Sequence, residues 1–127
     1  MRKVLLVVTT LMVAMLGPGP GGLGSASAHA LLKAAVPAVG ATVGEGPQDL
    51  RLRFSEGVEA AFSGVDITTE DGRPVGPVTI TVEPADAATL IVTLPAPLAP
   101  GTYTVQWHVV SVDTHKTRGR YGFTVKP

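Results

Sequence analysis

Beyond residue 30 the chain alternates short runs rich in Val, Ile, Leu, Thr and aromatic residues with segments rich in Gly and Pro. That is the pattern of strands joined by turns, and no stretch sustains a helical period. The apolar runs predict strands over 31–36, 48–54, 64–69, 78–82, 89–94, 102–112 and 118–125, separated by turn segments such as PAVGATVGEGP, EDGRPVGP and PAPLAPG. So many short strands in fewer than a hundred residues predict an all-β fold, a seven-stranded Greek-key β-sandwich of the immunoglobulin-like or cupredoxin-like kind.

The alternation also assigns faces, because successive strand residues point to opposite sides. Tyr103, Val105, Trp107 and Val109 fall on one face, and Thr104, Gln106, His108 and Val110 on the other. The first set is the expected core face, and Leu50, Leu52 and Phe54 with Tyr121, Phe123 and Val125 extend it. Trp107, alone of its kind in the chain, is read as a core residue rather than a binding aromatic, since it sits inside an alternating strand. His108 lies in mid-strand opposite that face and is read as a surface histidine of the sheet.

The first 28 residues break this pattern. Arg2 and Lys3 precede a short apolar run, VLLVVTTLMVAML, which ends at a Gly/Pro stretch, and Ala26-Ser27-Ala28 supplies the small residues that a signal peptidase reads. A membrane anchor is the competing reading, but a spanning helix needs about 20 apolar residues and this run is shorter. Residues 1–28 are therefore expected to be a signal peptide cut after Ala28, leaving 29–127 as one domain, periplasmic or extracellular, with no transmembrane segment and expected to be a monomer.

Composition narrows what such a domain can do. Cleavage leaves 99 of the 127 residues, with eight basic and ten acidic side chains and a formal net charge of −2, which argues against a nucleic-acid surface. There is no cysteine, and all three methionines, Met1, Met12 and Met15, lie in the leader. Soft Cu(I) favours thiolate and thioether ligands, so a metal site in the mature chain must be built from nitrogen and oxygen.

Cleavage after Ala28 would start the mature protein at His29, whose free α-amine and imidazole Nδ1 can close a six-membered chelate ring on one ion. At the far end of the long strand, Asp113 and His115 are two residues apart. In extended backbone such residues project to the same side, so a carboxylate and an imidazole there can address one ion. A solvated Asp beside a surface His is the plain alternative. With His29 the set becomes three nitrogens and one oxygen, an N3O donor group of the hardness that suits Cu(II), which the Irving–Williams order ranks above the other divalent ions. Zinc accepts the same atoms, but its structural sites are usually closed by thiolates, which are absent here. Glu56 ends another strand and is a third candidate, either as a weak ligand or as a carboxylate that orients a metal-bound imidazole; a solvated glutamate in a turn fits equally.

The mature start HALLKAAVPAVGATV, the strand LRLRFSEGV and the closing segment GTYTVQWHVVSVDTHKTRGRYGFTV resemble the CopC family of exported copper-binding, copper-resistance proteins across essentially the whole mature chain. The most specific elements are His29 and the S-x-D-x-H run from Ser111 to His115, followed by Gly119 and Phe123. The resemblance implies a seven-stranded cupredoxin-like sandwich that binds one Cu(II) per chain without redox turnover. It assigns His29, Asp113 and His115 as ligands and matches Glu56 to a nearby acidic position in some members. It also implies a role in copper resistance or supply, with an inner-membrane copper transport protein as partner. The Met-rich loop that holds Cu(I) in certain members has no counterpart between Phe62 and Thr79, and Thr114 stands where many members have glycine, a change expected to leave the ligands in place. Two other readings stand beside this one. A histidine-brace copper oxidase or monooxygenase would use the same amine and imidazole for oxygen chemistry, and a metal-free structural sandwich would use neither.

Overall fold

The computed structural model describes residues 30–127; residues 1–29, and with them the predicted signal peptide and His29, lie outside the described residues. Nine strands follow in chain order: β1 (Leu32–Val36), β2 (Thr42–Val43), β3 (Asp49–Phe54), β4 (Gly64–Thr69), β5 (Pro74–Val75), β6 (Thr79–Glu83), β7 (Asp86–Thr93), β8 (Gly101–Val110) and β9 (Lys116–Val125). A 3-10 turn, Ala60–Phe62, lies between β3 and β4. One sheet has the order β1-β3-β7-β6 and the other β2-β9-β8-β4-β5. Neighbours are antiparallel except β2, which runs parallel to the end of β9.

Period-two patterning decides which faces meet. Leu50, Leu52 and Phe54 of β3 are buried while Asp49, Arg51 and Arg53 face out. In β8, Tyr103, Val105, Trp107 and Val109 are buried as the alternation predicts, and in β9 Tyr121, Phe123 and Val125 join them. Burying each such side chain contributes about 1.5–3 kcal/mol, which favours the register that keeps all of them inside over any one-residue slip.

The two sheets meet at Phe54 and Trp107, whose rings pack edge to face with centroids 5.0 Å apart and planes at 70°. Trp107 is 8% exposed, so the core reading holds. Its indole crosses Gly119, the residue opposite it on β9, and a Cβ there would come within 2.6 Å of Cζ2 of Trp107. Within the five-stranded sheet, Tyr103 stacks on its cross-strand partner Phe123 with centroids 5.7 Å apart.

All seven predicted strands are present, with β9 beginning two residues early at Lys116 and three larger departures from the expectation. Two further strands of two residues each, β2 and β5, lie inside segments that read as turns. β7 begins at Asp86, three residues before the apolar run, because pairing with β6 extends it. β8 ends at Val110 instead of running to residue 112, because the chain turns at Ser111.

Candidate metal centre

The turn at the end of β8 makes the site. The Ser111 N–H donates to the His115 carbonyl at 2.9 Å and the Thr114 N–H donates to the Ser111 carbonyl at 2.8 Å. Residues 112–114 therefore form a three-residue hairpin loop between β8 and β9. Loops of this kind place their third residue in the left-handed region, and Thr114 has φ of 72°. Asp113 and His115 thus converge through a tight turn. The extended i, i+2 geometry expected from the spacing is not what brings them together, since neither residue lies in a strand.

Their side chains meet directly, with His115 Nδ1 3.2 Å from Asp113 Oδ1 and each side chain 47% exposed. Ser111, fully buried beneath them, donates its hydroxyl to Asp113 Oδ1. This contact is the main reason that the Asp113 carboxyl is held below its ordinary range; burial opposes it, while the His115 imidazole and backbone N–H add to it. The Ser111 hydroxyl also lies 3.3 Å from the backbone N and O of His115. One buried hydroxyl thus fixes both candidate ligands, a role that residue spacing alone does not reveal. The arrangement holds a carboxylate oxygen and an imidazole side by side, a donor pair that suits a divalent ion of borderline hardness.

The first described residue sits against this hairpin. The Ala30 carbonyl accepts a 2.8 Å bond from the hydroxyl of Thr117, two residues after His115, and Ala30 is fully buried. On its other side, Leu31 and Ser55 exchange bonds: the Leu31 N–H donates to the Ser55 hydroxyl and the Ser55 N–H to the Leu31 carbonyl, both at 2.8 Å. The chain therefore enters the domain between the start of β9 and the loop after β3.

Glu56 lies in that loop, half-buried. The next residue, Gly57, accepts a 2.9 Å bond from the Val112 N–H, and Val58 bridges to Ser111, so the loop and the hairpin are laced together at one end of the sandwich. Among the described residues, however, no three His, Cys, Asp or Glu side chains converge into a group able to hold a metal. Asp113 and His115 come together, and Glu56 does not complete a triad with them. His29 lies outside the described residues. His108, set aside in the sequence reading, is exposed on the outer face of β8 with its imidazole lying across Gly64.

The domain is thus a small β-sandwich with a fixed carboxylate–imidazole hairpin at one end, beside the incoming chain. Residues 32–126 match the CopC domain, and the chain belongs to the CopC family. Protein YobA of Escherichia coli (strain K12) is 50% identical over 99 residues, covering 78% of this chain and 80% of that protein. CopC from Methylosinus trichosporium OB3b superposes with a TM-score of 0.72 at 34% identity, covering 78% of this chain and 95% of that one. PcoC of Escherichia coli, described as a methionine rich copper resistance protein, superposes with a TM-score of 0.70 at 36% identity, covering 77% of this chain and 99% of that one.

Proposed function

We propose that the chain is exported behind a leader cut after Ala28, and that the mature protein binds one Cu(II) through the amine and imidazole of His29, the carboxylate of Asp113 and the imidazole of His115. In this reading it serves copper resistance in the periplasm or outside the cell, sequesters the ion without redox turnover, and passes it to a membrane copper transport protein. Among the described residues no helix is long and apolar enough to cross a membrane.

The observation that carries the reading is the Asp113–His115 pair fixed by Ser111 next to Ala30. The Ala30 carbonyl is bonded to the Thr117 hydroxyl, two residues past His115. A terminal amine and imidazole arriving there would complete an N3O set, which favours Cu(II). The likeness to copper resistance proteins supports copper as the metal. Where PcoC is called methionine rich, this chain has no methionine after Met15, so thioether binding of Cu(I) has no ligands here. Glu56, on the adjoining loop, is suited to orient a bound imidazole through an intervening hydrogen bond.

Metal ligands bind in their deprotonated forms, so affinity should fall as the medium is acidified. N-terminal mass analysis of the secreted protein, combined with Cu(II) titration and EPR, tests the proposal. The expected result is a chain starting at His29 that takes up one equivalent of Cu(II) with a tetragonal nitrogen-rich spectrum. A retained leader, a different first residue or the absence of stoichiometric copper would overturn it.

A further inference from the structure

A second feature lies on the outer face of the five-stranded sheet, beside the hairpin. Lys116, Arg118 and Arg120 alternate along β9 and are all exposed, so three of the eight basic residues of the mature chain stand in one row within five positions. Across the row, His108 and Gln106 of β8 line the same open groove, and Asp66 of β4 is its one carboxylate. Toward the hairpin the groove continues over Lys116 to Phe62, which is 68% exposed.

The backbone beneath the row is also open. β2 covers β9 only at Thr124 and Val125, and Gly40 donates to the Gly122 carbonyl just before them. Gly122 and Thr124 thus turn their backbone groups away from β8, and by the two-residue period Lys116, Arg118 and Arg120 do the same. Among the described residues no strand lies beside β9 over 116–120. The same three residues therefore present unclaimed N–H and C=O groups at the edge and cations on the face.

We infer that this edge is the docking site for an extended acidic segment of a partner protein, which adds a strand to β9 and sets its carboxylates against Lys116, Arg118 and Arg120. The period decides the occupant. Cations two residues apart on a strand are spaced by about 6.6–6.8 Å, too far for one phosphate or carboxylate to engage the whole row, whereas carboxylates at alternate positions of an added strand repeat at the same distance. Main-chain bonds would supply affinity and the alternate side chains specificity, as in other strand-addition complexes, with the guanidinium forks matching carboxylates. A second copy of the chain is a poor occupant, because pairing two such edges sets cation against cation. The inference deepens the proposed transfer and rests on it only for the partner's identity, since a segment docked here would lie alongside the Asp113–His115 hairpin.

The test uses the metal-free mature protein and a fluorescent seven-residue peptide of alternating Glu and Val, read by anisotropy and by amide chemical shifts. The expected result is saturable, salt-sensitive binding whose shifts centre on residues 116–120. It should weaken at least tenfold in an Arg118→Glu/Arg120→Glu variant and more mildly in Arg118→Gln/Arg120→Gln. It should also be lost for the Lys/Val peptide and for a Glu/Val peptide N-methylated at alternate amides. No binding, equal binding by the charge-reversed protein, equal binding of the N-methylated peptide, or shifts centred elsewhere would overturn the inference. Because no copper is present, failure here leaves the metal proposal standing, and failure of the metal proposal leaves this result intact.

Discussion

Replacing Gly119 by alanine should unlock the core beneath the Asp113–His115 hairpin, and the cost can be worked from the contact it creates. The new Cβ would lie 2.6 Å from Cζ2, 3.0 Å from Cε2 and 3.3 Å from Cη2 of Trp107. These atoms belong to a rigid ring packed against Phe54, so the clash cannot be relieved by swinging a flexible chain end. Overpacking a filled core costs about 1–3 kcal/mol. If the indole tilts away, it also gives up part of an edge-to-face contact worth about 0.5–1.5 kcal/mol. About 2 kcal/mol corresponds to a drop of about 8–16 °C in melting temperature for a domain of this size. Trp107 is the single tryptophan of the chain, so its emission reports the displacement directly while thermal unfolding reports the cost. A Gly119→Ala protein that melts within about 2 °C of the parent, well below the shift expected for such a clash, and keeps its emission maximum would refute the packing argument.

Three further outcomes follow from the same geometry. Ser111→Ala removes the hydroxyl that holds Asp113 and His115 and should weaken Cu(II) binding by about 10- to 100-fold in a chelator-competition titration, with the fold retained; unchanged affinity would deny Ser111 its positioning role. Thr114→Gly relieves a β-branched residue at φ of 72°, a strain of about 1–2 kcal/mol partly offset by about 0.5–1 kcal/mol of extra unfolded-state freedom. Denaturant melts should show a small gain in stability with copper binding unchanged. The Asp86 carboxyl is held below its ordinary range by the Ala88 N–H, then by the Thr89 hydroxyl; the stability it adds is complete above the ordinary carboxylate range and is lost as pH falls through the lower native value. Asp86→Asn removes the titration and keeps only one of the two acceptor oxygens, so its acid melting profile should be shallower than the parent's below about pH 4.

The long strands and their buried faces were legible because alternation in β3, β8 and β9 is strict and leaves a single register that buries Leu50, Leu52, Phe54, Trp107 and Phe123. The short strands β2 and β5 were not, since two residues carry no period and only a neighbouring strand defines them. Asp113 and His115 were legible as a pair from their spacing, but the reason that they meet was misread. A threonine gives no sign that it will adopt the left-handed conformation at position 114, so the strand read through residue 112 ends instead at Val110 and the hairpin loop does the positioning. Ser111 carries no pattern that marks it as the support of the Asp113 carboxylate and the His115 backbone; only its full burial and its bonds reveal that. Glu56 and the hairpin were expected at one end of the sandwich, and the backbone bonds through Gly57 and Val58 bring their loops there, although the carboxylate joins no triad.

The most direct measurement compares Cu(II) affinity of the mature chain beginning at His29 with that of a variant carrying one extra residue ahead of it, both read by competition titration and EPR. The extra residue moves the α-amine off the histidine while leaving Asp113, His115 and the fold untouched. The account predicts markedly weaker binding and a changed nitrogen signature for the extended protein. Equal affinity and an identical spectrum would contradict it.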